Sequence, residues 1–447
     1  MTIRLADLRA CFEGVIPSLI ATVDRQGMPN VSYLSQVHFV DEAHVALSNQ
    51  FFSKTLANIE QRGTATLMVI DGRCGDQYVL DITPVRRESA GPLFERMSVH
   101  LAAISGQEGG QEGGTVMKLR SADVYRVRAI HPVAAPGAGE ATDRGAASAR
   151  QDAVPVEAVA ALAADIGAEP DAGTMLDRAL QGLVSTLGIA HAMVLVPDGE
   201  GRQLVTLASR GYPQGGVGSE VALGEGIIGL VGEARVPVRI CDMSRGRRYA
   251  AAVTAGQGVD ERVIPLPGLD APQSQIAVPM LAQGRLMGVL FAESPQHFAF
   301  GHEHEAALGV VALSLAAGLR MNALGGADPP GARAAAVAGA QPFRVRHHRF
   351  DDAVFIDEDY LIRGVAGRLL MLMLGEYLRD GRTAFANQQI RRAPALRLPD
   401  LKDNLETRLL LLRRRLEEKD APLRIHPAGR GRVRLELRGT PHVDSVP

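Results

Sequence analysis

Tryptophan is absent from the 447 residues and aromatic residues make up only 4%, so the cores must be aliphatic and ring stacking is a minor resource. Cysteine is nearly absent too. Cys11, Cys74 and Cys241 are too few and too scattered for a disulfide framework, and no C-x-x-C pair occurs, so a reducing compartment is expected. An excess of one charge is also missing: 48 Lys and Arg face 50 Asp and Glu, a net of −2. That balance excludes a global field for nucleic acid or membrane, and any such partner must be met by a local patch. No run of about 18 uncharged apolar residues occurs. Met1–Gly14 alternates charged and apolar residues without a hydrophobic signal core, and a soluble, cytoplasmic protein is the expectation.

What is present is ample hydrophobic material, 46% of residues, with 48 glycines. The length implies roughly three domains. Two stretches rich in Ala, Gly, Ser and Pro, 134–152 and 325–341, cannot bury enough apolar surface to offset their ordering entropy and read as linkers. They divide the chain into 1–133, 153–324 and 342–447. The last stretch, counted from Gln341, carries 21 Lys and Arg against 15 Asp and Glu. A cationic patch is therefore expected at that end.

In the first region, apolar runs of strand length alternate with turn signals: Ser18–Val23, Val31–Leu34, Val37–Val40, His44–Ser48, Ala65–Ile70 and Tyr78–Pro84. Helices are predicted over Phe52–Glu60 and Gly91–Ile104. This is the pattern of an antiparallel barrel or sandwich. Ser53, Lys54 and Thr55 fall where a strand feeds a helix, and free N–H groups beside an ammonium suit a phosphate; the plain alternative is that Lys54 caps a surface helix.

The run Ser18–Asp24, Gly27–Ser32, Phe39–Asp41, His44–Thr55 and Asn58–Ile59 resembles the flavin-binding split barrels of the pyridoxamine phosphate oxidase-like superfamily, over about Leu8–Pro132. The resemblance implies flavin mononucleotide near Ser32, Ser35, Ser48, Asn49, Ser53, Lys54 and Thr55, and a homodimer. The Arg or Lys that family enzymes usually carry on the strand aligned with Asn30–Ser35 is missing, and no substrate-phosphate Arg pair is evident beyond Arg86 and Arg87. No catalytic residue is assigned.

The second region opens with helical periodicity over about Pro155–Leu187 and continues with strands at Ala192–Val196, Gln203–Ala208, Ile276–Met280 and Leu286–Ala292, closing on a helix near His304–Leu324. Gly224, Gly226 and Gly229 lack the β-α-β frame of a dinucleotide loop and are read as a tight turn into a short helix. Gly224–Val231, Pro237–Met243, Ile276–Met280, Gly284–Leu290 and Phe298–Leu308 are similar to the markers of a GAF domain, an α+β sensor fold. The resemblance implies a cup for a small-molecule effector, with Arg239, Cys241 and Tyr249 as candidate lining. Cys241 is either a buried small residue or a redox thiol beside Arg239 or Arg245. His297, His302 and His304 read as a surface cluster at a helix start rather than a metal site, and no metal is expected.

The third region shows a strand at Val354–Ile356, helices at Gly367–Arg379, Asn387–Ala393 and Leu401–Glu418, and a hairpin of Leu423–His426 with Arg432–Leu437. Val354–Asp357, Gly367–Leu378, Asp403–Glu417 and Gly429–Leu435 make it similar to the C-terminal winged helix-turn-helix of OmpR-type response regulators. The Thr-x-x-Glu helix opening of that family is replaced by Gly364–Gly367. The resemblance implies DNA contacts from Lys402, Thr407, Arg408, Arg413 and Arg414 on the third helix and from Arg430, Arg432 and Arg434 on the wing. Periodicity places Leu401, Leu405, Leu409, Leu412 and Leu416 on a buried face and leaves Asp403, Thr407, Leu410, Leu411 and Arg414 toward solvent. Exposed leucines favour protein docking; a solvated cap is the third alternative. Together these readings predict a multidomain α+β transcriptional regulator sensing ligand or redox state. A flavin-dependent oxidoreductase with regulatory domains and a protein-docking signalling adaptor are the alternatives.

Overall fold

The computed structural model describes residues 3–12, 16–50, 53–108, 118–133, 154–198, 201–243, 264–324, 342–396, 405–429 and 431–446. In the first region a 3-10 segment, Leu5–Phe12, precedes β1 (Ser18–Val23), β2 (Pro29–Leu34), β3 (Val37–Asp41) and β4 (His44–Asn49). Helix α1 (Ser53–Arg62), β5 (Ala65–Ile70), β6 (Gln77–Glu88), α2 (Pro92–Glu108) and β7 (Ser121–Val133) follow. The strands form one antiparallel sheet in the order β2-β1-β5-β6-β7-β4-β3. Alternation sends Ile20, Leu34, Val45, Leu47, Leu67, Val69, Leu80 and Ile82 into a shared core. Long β7 was not anticipated from the sequence, although it pairs with both β4 and β6 and so closes the sheet.

The second region holds α3 (Val156–Ala168), α4 (Ala172–Leu187), β8 (His191–Pro197), β9 (Gln203–Arg210), β10 (Glu220–Ala222), α5 (Gly226–Ala234), β11 (Val238–Ile240), β12 (Ser274–Ala282), β13 (Arg285–Ser294) and α6 (His302–Leu324). The single helix expected over Pro155–Leu187 is two. Pro170 cannot continue α3, and Asp171 starts α4 by accepting a hydrogen bond from the Thr174 amide at 2.8 Å. The sheet order is β10-β9-β8-β13-β12-β11. One face carries α3, α4 and α6; the other carries α5. Gly224 and Gly226, at φ of 82° and 57°, make the tight entry into α5 that side chains disfavour. His302–Asn322 is long and apolar enough to cross a membrane; here it packs along β12 and against α3.

The third region contains β14 (Phe343–His348), β15 (Ala353–Ile356), β16 (Asp359–Ile362), α7 (Gly364–Asp380), β17 (Ala384–Ala386), α8 (Asn387–Arg391), α9 (Leu405–Glu418), β18 (Leu423–Pro427), β19 (Arg432–Leu437) and β20 (Pro441–Val446). The last strand returns to pair in parallel with β14, giving the order β16-β15-β14-β20, and β17-β19-β18 form a second small sheet.

The three regions are packed on one another rather than strung out. Val99 and Ala103 of α2 join the core beneath α5, and one continuous apolar cluster runs from Leu176, Leu180 and Leu315 through Leu409, Leu412 and Leu416. Residues 134–152 and 325–341, read as linkers, lie outside the described residues.

Candidate functional site

In the barrel, Thr55 sits in the first turn of α1 with its side chain turned inward. Its hydroxyl accepts from Asn30 Nδ2 at 2.9 Å and lies 2.9 Å from Ser32 Oγ. Asn58 Nδ2 donates to Thr22 Oγ1 at 3.1 Å. This network pins α1 to β1 and β2, so Thr55 and Ser32 serve the scaffold. Ser48 Oγ accepts from the Gln36 amide at 3.1 Å, and Asn49 Nδ2 donates to Asp123 at 3.1 Å. Asp123 is also held by Arg87 at 3.1 Å and Ser121 at 2.8 Å, and Arg86 pairs with Glu88. Neither arginine is thus unengaged.

Among the described residues of this region three buried side-chain atoms lack a hydrogen-bond partner: Arg9 Nε, whose guanidinium lies over the Phe39 ring, and two glutamine atoms. Ser35 Oγ donates to Gln50 Oε1 at 2.7 Å, while Gln50 Nε2 and Gln36 Oε1 are buried without a hydrogen-bond partner. Buried polar groups normally find partners, so one unspent donor and one unspent acceptor beside Ser35 invite a polar ligand edge. Lys54 stands exposed at the start of α1, where the helix end presents N–H groups. Ser53 occupies the same first turn.

Arg239 and Cys241 lie on the face of the sheet away from α5. Val238 and Ile240 face the α5 side, so alternation sends Arg239 to the opposite face, toward the start of α6. Its guanidinium lies 3.1 Å from Cys241 Sγ, donates to the Phe300 carbonyl at 3.3 Å, pairs with Glu305 at 3.3 Å and reaches His302 Nδ1 at 3.0 Å. Arg96 of α2 grips the same Glu305 at 2.6 Å. This cluster therefore joins the barrel to the second region. His38 on β3 faces it, and burial, reinforced by Arg96, His100, His302 and Arg239, pushes its imidazole down to about 3. The other histidines are locally used: His297 lies 3.2 Å from Asp242 and His304 Nδ1 accepts from the Gly301 amide at 3.2 Å. Tyr249 and Arg245 lie outside the described residues.

On the α5 face, register brings together residues that are distant in sequence. Gln275, Glu293 and His191 follow Ala277, Phe291 and Met193 at two-residue steps, and hence share their side of the sheet. Glu293 is 3% exposed; it accepts from the Leu269 amide at 2.6 Å and from Gln275 Nε2 at 3.1 Å. Among the described residues no cation pairs with it, and burial raises its carboxyl above the usual range. Tyr212 lies beside it, its phenol raised by the same burial.

At the other end, α9 is buried on both faces. Leu410, Leu411 and Thr407, expected toward solvent, are buried along with Leu405, Leu409, Leu412 and Leu416, because the second face meets α4, β9 and α6. Arg408 and Arg414 are spent in the same contact, and Arg413 is held only at longer range. Arg408 donates to the Pro197 carbonyl at 3.0 Å, Arg413 approaches Asp171 at 3.7 Å, and Arg414 donates to the Gly173 carbonyl at 2.8 Å and to Asp177 at 2.7 Å. The approach is close enough that a Cβ on Gly173 would lie 2.0 Å from Arg413 Nη2. Of the other residues assigned to DNA, Arg434 is exposed, Arg432 is half-buried, and Lys402 and Arg430 lie outside the described residues, as do Leu401 and Asp403.

The comparisons fit two of the three regions. Residues 6–128 match the pyridoxamine 5'-phosphate oxidase family and residues 171–319 match the GAF domain family. The chain thus carries a domain similar to that family, built on the large antiparallel sheet, and a GAF domain. No curated protein matches it. Among solved structures, the GAF domain of a phosphoenolpyruvate-protein phosphotransferase from Acinetobacter is 21% identical, covering 37% of this chain and 92% of that one at a TM-score of 0.31. An FMN-binding protein from Syntrophomonas wolfei is 19% identical, covering 30% and 87% at 0.25. Free methionine-R-sulfoxide reductase from Neisseria meningitidis is 20% identical, covering 36% and 86% at 0.29.

Proposed function

We propose that this chain is a small-molecule-sensing regulator in which the barrel and GAF domain receive the signal and the C-terminal region delivers it. The single observation that carries this reading is the seat of α9: a helix with Arg408, Arg413 and Arg414 laid against α4 of the GAF domain. A sensor can bias an output only through contacts that differ between two states, and this interface is such an element.

Flavin mononucleotide fits the barrel. Lys54 and the first-turn amides of α1 would hold its phosphate, and Gln36 and Gln50 offer the unspent acceptor and donor for a ring edge. Bound flavin supplies a redox-responsive ring; the barrel's own residues bind and orient it. The exposed Met28, Val31 and Tyr33 around edge strand β2 support a homodimer, since a second copy would cover them.

DNA is the output we favour. The order α7, β17, α8, α9 and the β18–β19 hairpin supports a winged helix, and Arg434 remains exposed on the hairpin. With α9 seated, Arg408 and Arg414 are bound to carbonyls and a carboxylate of the GAF domain and unavailable to phosphate, so the seated form is the silent one. Release would return them and give salt-dependent duplex affinity. The test is duplex binding across a salt series for the intact protein and for Gly173→Val, which displaces the end of Arg413 and crowds Leu410 where α9 meets α4. The reading expects weak binding by the first and a steep, salt-sensitive gain in the second. Equal, flat responses in both would remove DNA from the account.

A further inference from the structure

The seam between the GAF domain and the C-terminal region encloses a cavity of about 840 Å³, a volume in the range of small-molecule sites. Its walls come from both partners: the turn between α3 and α4 and the end of α6 on one side, α8, α9 and the β18–β19 hairpin on the other. Ala317, Met321 and Leu410 make much of the surface apolar. The carboxylates of the lining are engaged, Glu169 by Arg178, Asp171 by the Thr174 amide and Glu406 by Arg391, whereas its two arginines and Asn387 are incompletely used. Arg413 has only long contacts, at 3.7 Å to Asp171 and 4.0 Å to Glu417. Among the described residues, Arg432 Nε is buried with no hydrogen-bond partner. Asn387 is 7% exposed; its Nδ2 donates to Glu406 at 3.1 Å, and its buried Oδ1 meets no partner among the described residues.

We infer that this cavity is a binding site for an amphipathic organic anion that also carries an N–H or O–H group. The apolar wall takes a hydrocarbon body of low hydration cost. The unspent Arg432 Nε–H and the loosely held Arg413 meet a carboxylate or phosphate, and Asn387 Oδ1 accepts the donor. Orphaned buried polar atoms are costly to leave unmet, so a ligand that meets both the Asn387 and Arg432 atoms gains more there than in water. A molecule lodged between the two regions touches both only while α9 is seated, and so its binding holds the seated form. The inference goes beyond the sensing roles proposed for barrel and cup; the binding itself holds whether or not the C-terminal region contacts DNA.

Calorimetric titration of the full chain with 3-hydroxydecanoate, beside its uncharged methyl ester, tests it. We expect saturable binding at one site per chain, at least tenfold tighter for the acid than for the ester. Arg432→Gln should weaken the acid at least tenfold. Ala317→Trp, on the exposed side of α6 and facing the cavity, should abolish binding; circular dichroism and melting of both variants confirm that each remains folded. Absence of saturable binding, equal affinity for acid and ester, or unchanged binding in both variants would overturn the assignment. Duplex binding serves as the separate readout of the regulatory reading, so the two fail independently.

Discussion

Two cationic helices, one in the first region and one in the third, differ in what their charge meets. Helix α1 of the barrel turns its polar residues inward, Thr55 to Asn30 and Ser32, and leaves Lys54 in solvent at its amino end. Helix α9 turns Arg408 and Arg414 onto carbonyls and a carboxylate of the neighbouring domain and keeps little for solvent. The richer helix in arginine is therefore the less available one. Charge count states what a surface can attract; the neighbouring module decides whether the attraction is already satisfied.

The contrast can be broken at several points. Leu412→Ala, at a fully buried position of α9, removes apolar contacts and leaves a cavity, so we expect a loss of about 2–5 kcal/mol, read by denaturant unfolding of the C-terminal region. Gly173→Val places side-chain atoms where Arg413 Nη2 and Leu410 Cδ1 now lie, costing about 1–3 kcal/mol and showing as faster proteolysis after α9.

The junction between barrel and GAF domain should respond to acid. His38 is held well below its ordinary value, at about 3, chiefly by burial. A lowered folded value means stability that is present above the unfolded value of about 6.5 and is lost as pH falls toward 3. Melting at pH 6.5 and 5 should differ by about 1–2 kcal/mol more in the natural protein than in His38→Gln, from a slope of up to about 1.4 kcal/mol per pH unit.

At the exposed helix the effects are smaller and confined to binding. Lys54→Ala should leave melting unchanged and weaken flavin uptake about tenfold, about 1.4 kcal/mol, measured by fluorescence quenching on titration. Arg434→Ala, exposed on the hairpin, should alter stability by no more than about 0.5 kcal/mol.

How far these features can be read without coordinates depends on the range of the forces that make them. Short alternating runs such as Ser18–Val23 and Ala65–Ile70 appear with their bounds intact, because a strand's burial pattern is written in adjacent residues. In the third region β15, the three helices and the β18–β19 hairpin are legible for the same reason, while β14, β16, β17 and β20 carry no comparable signal. The break at Pro170 was lost because apolar spacing continues across it, from Leu162 and Ile166 to Leu176 and Leu180.

Arg239 and Cys241 were placed in the cup from their region of the chain, whereas the alternation of Val238 and Ile240 around Arg239 turns it to the other face. Glu293, Gln275 and His191 gave no signal at all: only strand register assembles them. The leucines of α9 did carry a signal. Leu409–Leu412 is a run of four, too wide for one buried stripe, and it marks a helix covered on two sides.

The most direct test of the account is hydrogen exchange across Leu405–Glu418 in the full chain and in Gly173→Val. Seated against the GAF helices, the amides of α9 should exchange as slowly as those of α4 and should speed up sharply in the variant while α4 stays slow. If the natural protein instead shows α9 exchanging quickly, with rates the variant does not change, the helix is not held there and its arginines are not withheld.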